Sequence, residues 1–284
     1  MSTRSDVLIT ATDLARRIDA GEPTTILDVR WQLTRPDGST AYAQGHLPGA
    51  VYVSLEDDLT DHAVPGRGRH PLPSGRDVEA SARRWGVRAG IPVVVYDDWN
   101  RAGSARAWWV LTAAGIPQVR ILDGGLTSWM AAGGALQTGP VVPDPGDVVV
   151  THHDLYAGAL QALTAEQAAQ TDGPLLDARA PERFSGDVEP VDAVGGHIPK
   201  ATNLPSTSLL SPNGDLLTDN DLTRLFEGHG VGEKSAVGVY CGSGVTAAVI
   251  VAALSAVGVD AALYPGSWSE WSSDPNRPVA RGRE

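Results

Sequence analysis

Cys241 is the only cysteine among 284 residues, and it stands in Val-Tyr-Cys-Gly-Ser-Gly-Val-Thr-Ala, where an apolar run breaks into a glycine loop ahead of a helix-forming stretch. A thiol carried by a strand to a helix N-terminus meets the helix dipole and free N–H groups, which favour negative charge. The pattern therefore predicts a thiolate nucleophile. With no second cysteine, the sulfur works without an intramolecular disulfide. A Cys–loop–helix can also hold phosphate, but that chemistry calls for an arginine six residues after the cysteine to chelate phosphoryl oxygens. Ala247 occupies that position, and no arginine occurs from Cys241 to Asp260, which argues against a phosphatase. Read alone, a single cysteine is equally a small buried apolar residue. The surrounding elements decide between the two.

Those elements occur twice, in one order, at a separation of about 150 residues. Ile26-Leu27-Asp28-Val29-Arg30 returns as Leu175-Leu176-Asp177-Ala178-Arg179, and Gly45-His46-Leu47-Pro48 as Gly196-His197-Ile198-Pro199. Val93-Val94-Val95-Tyr96-Asp97 corresponds to Val237-Gly238-Val239-Tyr240-Cys241, and Gly124 with Ser128-Trp129 to Gly266 with Glu270-Trp271. Short β-branched runs (26–29, 93–96, 119–122) alternate with helical stretches (77–85, 105–114), with Gly86 and Gly115 at the helix ends. The second half repeats this with strands at 175–178, 237–240 and 261–264, and a helix over 245–257 ending at Gly258. Alternation of this kind predicts an α/β fold of two tandem domains, each a mainly parallel sheet flanked by helices. The prolines of Gly139-Pro140-Val141-Val142-Pro143-Asp144-Pro145-Gly146 mark the linker. The expected division is residues 1–138, a linker over 139–160, and residues 161–284. Asp97 stands where the second half has Cys241, so a single active site is expected, in the second domain.

Composition narrows the partners. A net charge of −12, with lysine only at 200 and 234, leaves no basic stripe for nucleic acid. The stretch from Val245 to Leu254 is too short to span a bilayer, and the start lacks the apolar segment of a secretory signal. A cytoplasmic location is the expectation, in keeping with one free thiol. His152-His153 has no metal-ligand spacing around it, and neither a metal nor a cofactor is expected. His46 and His197, present in both halves, read as residues of the fold.

Together the repeated Asp-x-Arg strand, the two Gly-His-[Leu/Ile]-Pro motifs, Leu122-Asp123-Gly124-Gly125, Cys241-Gly-Ser-Gly-Val-Thr246 and Tyr264-Pro-Gly-Ser-Trp-Ser-Glu-Trp271 resemble the tandem-domain rhodanese-like sulfurtransferases, which use thiosulfate or 3-mercaptopyruvate. The resemblance implies a catalytically silent N-terminal domain and a persulfide on Cys241. Sulfane sulfur would pass from thiosulfate or 3-mercaptopyruvate to cyanide or a thiol acceptor, a thiol redox protein among them. The loop residues Gly242, Gly244, Val245 and Thr246 would cradle the anionic persulfide with backbone N–H groups. The Gly-Ser-Gly-Val-Thr loop is that of mercaptopyruvate-type members. By the same resemblance Ser243, His70 and Glu56 form a proton relay, Glu56 standing where the family usually has aspartate. Read singly, Glu56 is a surface acid and His70 a solvated loop residue. Arg183 matches an arginine that holds the donor, whereas Glu189-Pro190, which a second arginine normally follows, precedes Val191. The alternative reading is a low-turnover persulfide carrier.

Overall fold

Two parallel sheets form the frame of the computed structural model, which describes residues 3–232 and 235–283; Lys234 lies outside them. Strands β1 (Leu8–Ile9), β2 (Thr25–Asp28), β3 (Val51–Tyr52), β4 (Val93–Tyr96) and β5 (Val119–Leu122) make the first sheet, in the order β1-β5-β4-β2-β3. Strands β6 (Leu175–Asp177), β7 (Thr202–Asn203), β8 (Val237–Tyr240) and β9 (Ala261–Leu263) make the second, in the order β7-β6-β8-β9. Every pairing is parallel. Thus β6 to β9 take the places of β2 to β5, and a single parallel bridge between Ala162 and Leu263 stands where β1 would be. The expected α/β architecture of paired parallel sheets is what the chain adopts.

The repeated motifs have a common structural cause. In each half the arginine of Asp-x-Arg folds back onto its own aspartate and reaches the carbonyl of the glycine before the motif histidine. Arg30 Nε lies 3.0 Å from Asp28 and its Nη2 2.5 Å from Gly45 O; Arg179 Nη2 lies 2.6 Å from Asp177 and 2.7 Å from Gly196 O. Buried charges persist only when paired and hydrogen-bonded in this way. His46 bonds the carbonyls of Leu47 and Gly139, and His197 that of Phe184, so both tie loops of the fold together.

Two helices connect the halves. The helix Ala102–Ala113 follows β4 and is buried except at Thr112; the helix Ala247–Ala256 follows β8 and is buried except at Ser255. A helix buried on all sides needs cover on all sides. Each of these lies on its own sheet and against the other helix, giving one core shared by both halves. The second helix begins at Ala247 rather than Val245, because Val245 and Thr246 belong to the cysteine loop. The helix expected over 77–85 runs Gly75–Arg84 and is capped by Ser74 Oγ, which accepts from Asp77 N–H at 3.2 Å. The stretch 141–150 carries no regular structure.

Gly103 marks a close approach of the helix Ala102–Ala113 to the residue after β2, since a Cβ there would lie 1.9 Å from Val29 O. Alanine is the better helix former by about 1 kcal/mol, yet here it forces helix and strand apart. Gly103→Ala is expected to destabilise the protein by about 3 kcal/mol, read as a shift in the midpoint of urea unfolding. A midpoint equal to or above that of the wild type would contradict the contact.

Candidate active site

In the second sheet the chain runs from β6 to β7 on one side and from β8 to β9 on the other, so the order reverses between β6 and β8. Ligands of open parallel sheets bind at such a point, beyond the carboxyl ends of the strands. A cavity of about 280 Å³ lies there, lined by Ala178–Ala180 after β6 and by Cys241, Gly242, Ser243, Val245 and Thr246 after β8. Its opposite wall is the corresponding point of the first sheet: Trp31 and Leu33 after β2, and Trp99 and Asn100 after β4. The two switch points face each other across one chamber.

Cys241 is 1% exposed, and the Gly244 N–H donates to its Sγ at 3.1 Å. Gly244 has φ of 76°, and a Cβ there would lie 2.3 Å from Pro265 O, so glycine alone allows this turn. The segment after β9 clamps the loop: Ser267 Oγ accepts from Cys241 N–H at 3.1 Å, Trp268 N–H donates to Cys241 O at 3.0 Å, and Ser269 N–H to Gly242 O at 2.9 Å. In the first half a carboxylate fills the corresponding cradle. Asp97 accepts from Ser104 N–H at 3.0 Å, Ser104 Oγ at 2.7 Å and Trp99 N–H at 3.1 Å, and pairs with Arg101 at 3.0 Å.

Behind the loop, a chain of hydrogen bonds crosses from one half to the other. Ser243 Oγ lies 2.7 Å from His70 Nδ1, and His70 Nε2 lies 3.1 Å from Glu56 Oε1. Trp31 Nε1 donates to the same Glu56 oxygen at 2.7 Å, and His62 Nε2 lies 3.1 Å from the other. The His70 hydrogen bond, with that of Trp31, holds the Glu56 carboxyl down at about 2 against the cost of burial. A carboxylate there accepts Nε2–H, which leaves Nδ1 of a neutral ring to accept the serine hydroxyl proton. Burial pushes the His70 imidazole below its ordinary value, and Glu56 pulls against it.

Three arginines line the chamber. Arg179 is held by Asp177. Arg183 donates to Glu189 from Nε at 3.2 Å and from Nη2 at 2.7 Å, and lies 3.4 Å from Asp192. Arg69, from the first half, pairs with Asp192. A fourth, Arg106, is fully buried beneath the loop, donating to Gly244 O at 3.3 Å and to Leu59 O and His70 O at 3.0 Å each. Burial lowers its guanidinium to about 10, so it remains cationic at neutral pH.

A model of the rhodanese-like domain matches residues 10–132 and again residues 157–274. The SseB protein of Mycobacterium tuberculosis, provisionally named a thiosulfate sulfurtransferase, is 64% identical over 99% of both chains. A Pseudomonas aeruginosa protein, provisionally named a 3-mercaptopyruvate sulfurtransferase, is 43% identical over 97% of this chain and 98% of its own. The crystal structure of SseA from Escherichia coli, described as a 3-mercaptopyruvate sulfotransferase, superposes with a TM-score of 0.79 at 34% identity, covering 92% of this chain and 98% of that one. The chain belongs to the tandem-domain rhodanese-like sulfurtransferases.

Within this family frame, the structure gathers Cys241, Ser243, Arg183, Gly242, Val245 and Thr246 around the chamber. His70 and Glu56 stand behind Ser243, and Gly244 turns its N–H to the sulfur. The sequence reading missed Trp31, Arg69, Arg106 and Asp192, although Trp31 follows a repeated Asp-x-Arg and Arg69 adjoins His70. Among the described residues, no cluster of His, Cys, Asp or Glu could hold a metal ion, and no helix is long and apolar enough to cross a membrane.

A folded pKa below the unfolded one means that His70 supports stability above about pH 6.5, and that this contribution is lost as the pH falls below that value. The His70 ring resonance is expected to titrate below 6.5 by NMR, and lower still in Glu56→Gln, where the carboxylate is gone. A midpoint at or above 6.5 in the wild type would mean that the ring is not desolvated.

Proposed function

We propose that this enzyme takes sulfane sulfur from 3-mercaptopyruvate, with thiosulfate as a second donor, and passes it through a persulfide on Cys241 to a thiol or cyanide. The observation that carries this reading is the hydrogen-bonded series Ser243–His70–Glu56 adjoining the cysteine loop. Thiosulfate needs no such series: Cys241 thiolate attacks the outer sulfur, an S–S bond forms, and sulfite leaves with the electron pair and no proton. With 3-mercaptopyruvate the thiolate attacks the donor sulfur, the C–S bond breaks, and its electrons become the enolate of pyruvate. The new persulfide gives up its S–H proton, which neutral His70 relays through Ser243 to the enolate carbon. The Cys241–S–S⁻ anion then rests beside the Gly244 N–H and above the Arg106 charge.

In this reading residues 1–138 form a catalytically silent domain, residues 139–160 a linker, and residues 161–284 the domain that carries the nucleophile. Asp97, an internal anion in the first cradle, supports that assignment. A thiol redox protein in the cytoplasm fits as acceptor, because a lone thiol has no internal partner to resolve its persulfide. The occupied state of Arg183, paired with Glu189, favours a second reading, a low-turnover persulfide carrier.

Cys241→Ser is expected to abolish sulfur transfer from both donors in a steady-state assay with cyanide, and substantial residual turnover would overturn the persulfide route. Ser243→Ala should lower kcat with 3-mercaptopyruvate by about a hundredfold or more and leave thiosulfate turnover within a few fold. Equal losses with both donors would remove the relay. Turnover of neither donor by the wild type, with a stable adduct of about 32 Da on Cys241, would favour the carrier.

A further inference from the structure

We propose that Arg69, from the N-terminal half, is the second guanidinium that grips the donor's carboxylate, and that Asp192 occupies that carboxylate's place in the free enzyme. The inference rests on the 3-mercaptopyruvate reading above and adds to it how the donor is oriented.

Two arginines converge on one spot of the cysteine loop. A Cβ built on Gly242 would lie 3.1 Å from Arg69 Nη2 and 3.5 Å from Arg183 Nη1, so both guanidiniums hang over the residue next to the nucleophile. They are also joined by one carboxylate: Asp192 Oδ1 pairs with Arg69 Nη1, and Oδ2 lies 3.4 Å from Arg183 Nη2. A planar carboxylate between two planar forks is the arrangement that donor recognition needs, and the protein has built it from its own side chain. Arg69 keeps unspent capacity, since its Nε is buried without a hydrogen-bond partner. Arg179 has none to offer, being 1% exposed at its side chain and closed onto Asp177 and Gly196 O. Val191, apolar and exposed, cannot supply a charge.

The backbone of Arg69 is fixed for this task. Its N–H donates to Ser269 Oγ at 3.0 Å, and a Cβ on the preceding Gly68 would lie 2.5 Å from Gly266 O. That segment therefore lies directly on the clamp that holds the cysteine loop. Arg69 points from the silent half across the chamber mouth, while Arg183 reaches it from the catalytic half and keeps Glu189 as its standing partner. An arriving carboxylate exchanges with Asp192, so the site carries its own competitive ligand.

The test combines steady-state kinetics with 3-mercaptopyruvate and calorimetric titration with pyruvate, which carries the carboxylate without the sulfur. Arg69→Ala should raise both KM and the pyruvate Kd at least tenfold while kcat changes far less; Arg69→Lys, which keeps the charge but loses the fork, should fall between. Asp192→Asn should tighten pyruvate binding by about threefold or more, because the internal competitor is gone. This arm stands even if Arg69→Ala folds poorly. A pyruvate Kd within twofold of the wild type in both Arg69 variants, or weaker binding in Asp192→Asn, overturns the proposal while leaving the donor assignment standing. A wild type that turns over thiosulfate but neither uses 3-mercaptopyruvate nor binds pyruvate overturns the donor assignment and the grip together.

Discussion

The packing of one buried helix against another governs this molecule. Neither Ala102–Ala113 nor Ala247–Ala256 has a polar face to give to water, so each must be covered by its own sheet on one side and by its counterpart on the other. Each helix also begins directly after a switch-point loop. Pressing the helices together therefore brings the two loops face to face, and the chamber is what remains between them. Arg106 shows how tightly this is drawn. An unpaired guanidinium in the interior costs several kcal/mol unless it is hydrogen-bonded, and here carbonyls from the first half and from Gly244 of the second bond it. One charge thus fixes the histidine segment and the cysteine loop in common register.

The duplication supplies two equal frames and uses them unequally. Both halves keep the buried Asp–Arg pair and the loop tie at the motif histidine, because the sheet ends need them. At the cradle they diverge. Asp97 is held by Ser104, by backbone N–H groups and by Arg101, so a carboxylate of the chain itself fills that cradle. Cys241 sits in the same kind of turn with its sulfur against the chamber. The first half also contributes to the second half's site, for Trp31 and Arg69 line the chamber with Cys241 and His70 reaches Ser243.

Much of this was written locally. The strands β4, β5 and β8 fall on the expected residues because each is a continuous apolar run bounded by turn residues. Cys241 stands out because strand, glycine loop and helix are adjacent in the chain. The two-residue strands β1, β3 and β7 escaped notice, since two residues carry no periodicity and exist only through their neighbours' hydrogen bonds. Ser243, His70 and Glu56 were named together through family resemblance, and only the fold brings them into contact. Arg106 and the pairing of Arg69 with Asp192 were not legible, because the contacts of Arg106 with Gly244 and of Arg69 with Asp192 join segments 123 or more residues apart.

The chamber and its lone thiol together bear on the order of events. About 280 Å³ is at the small end of ligand sites, of a size for small-molecule reactants. Under the proposed chemistry donor and acceptor need not meet, because the enzyme itself holds the sulfur between two visits. What a covalent persulfide would impose is a timetable: the first product can depart before the second reactant enters, and the record of the exchange in the interval is a single atom on Cys241.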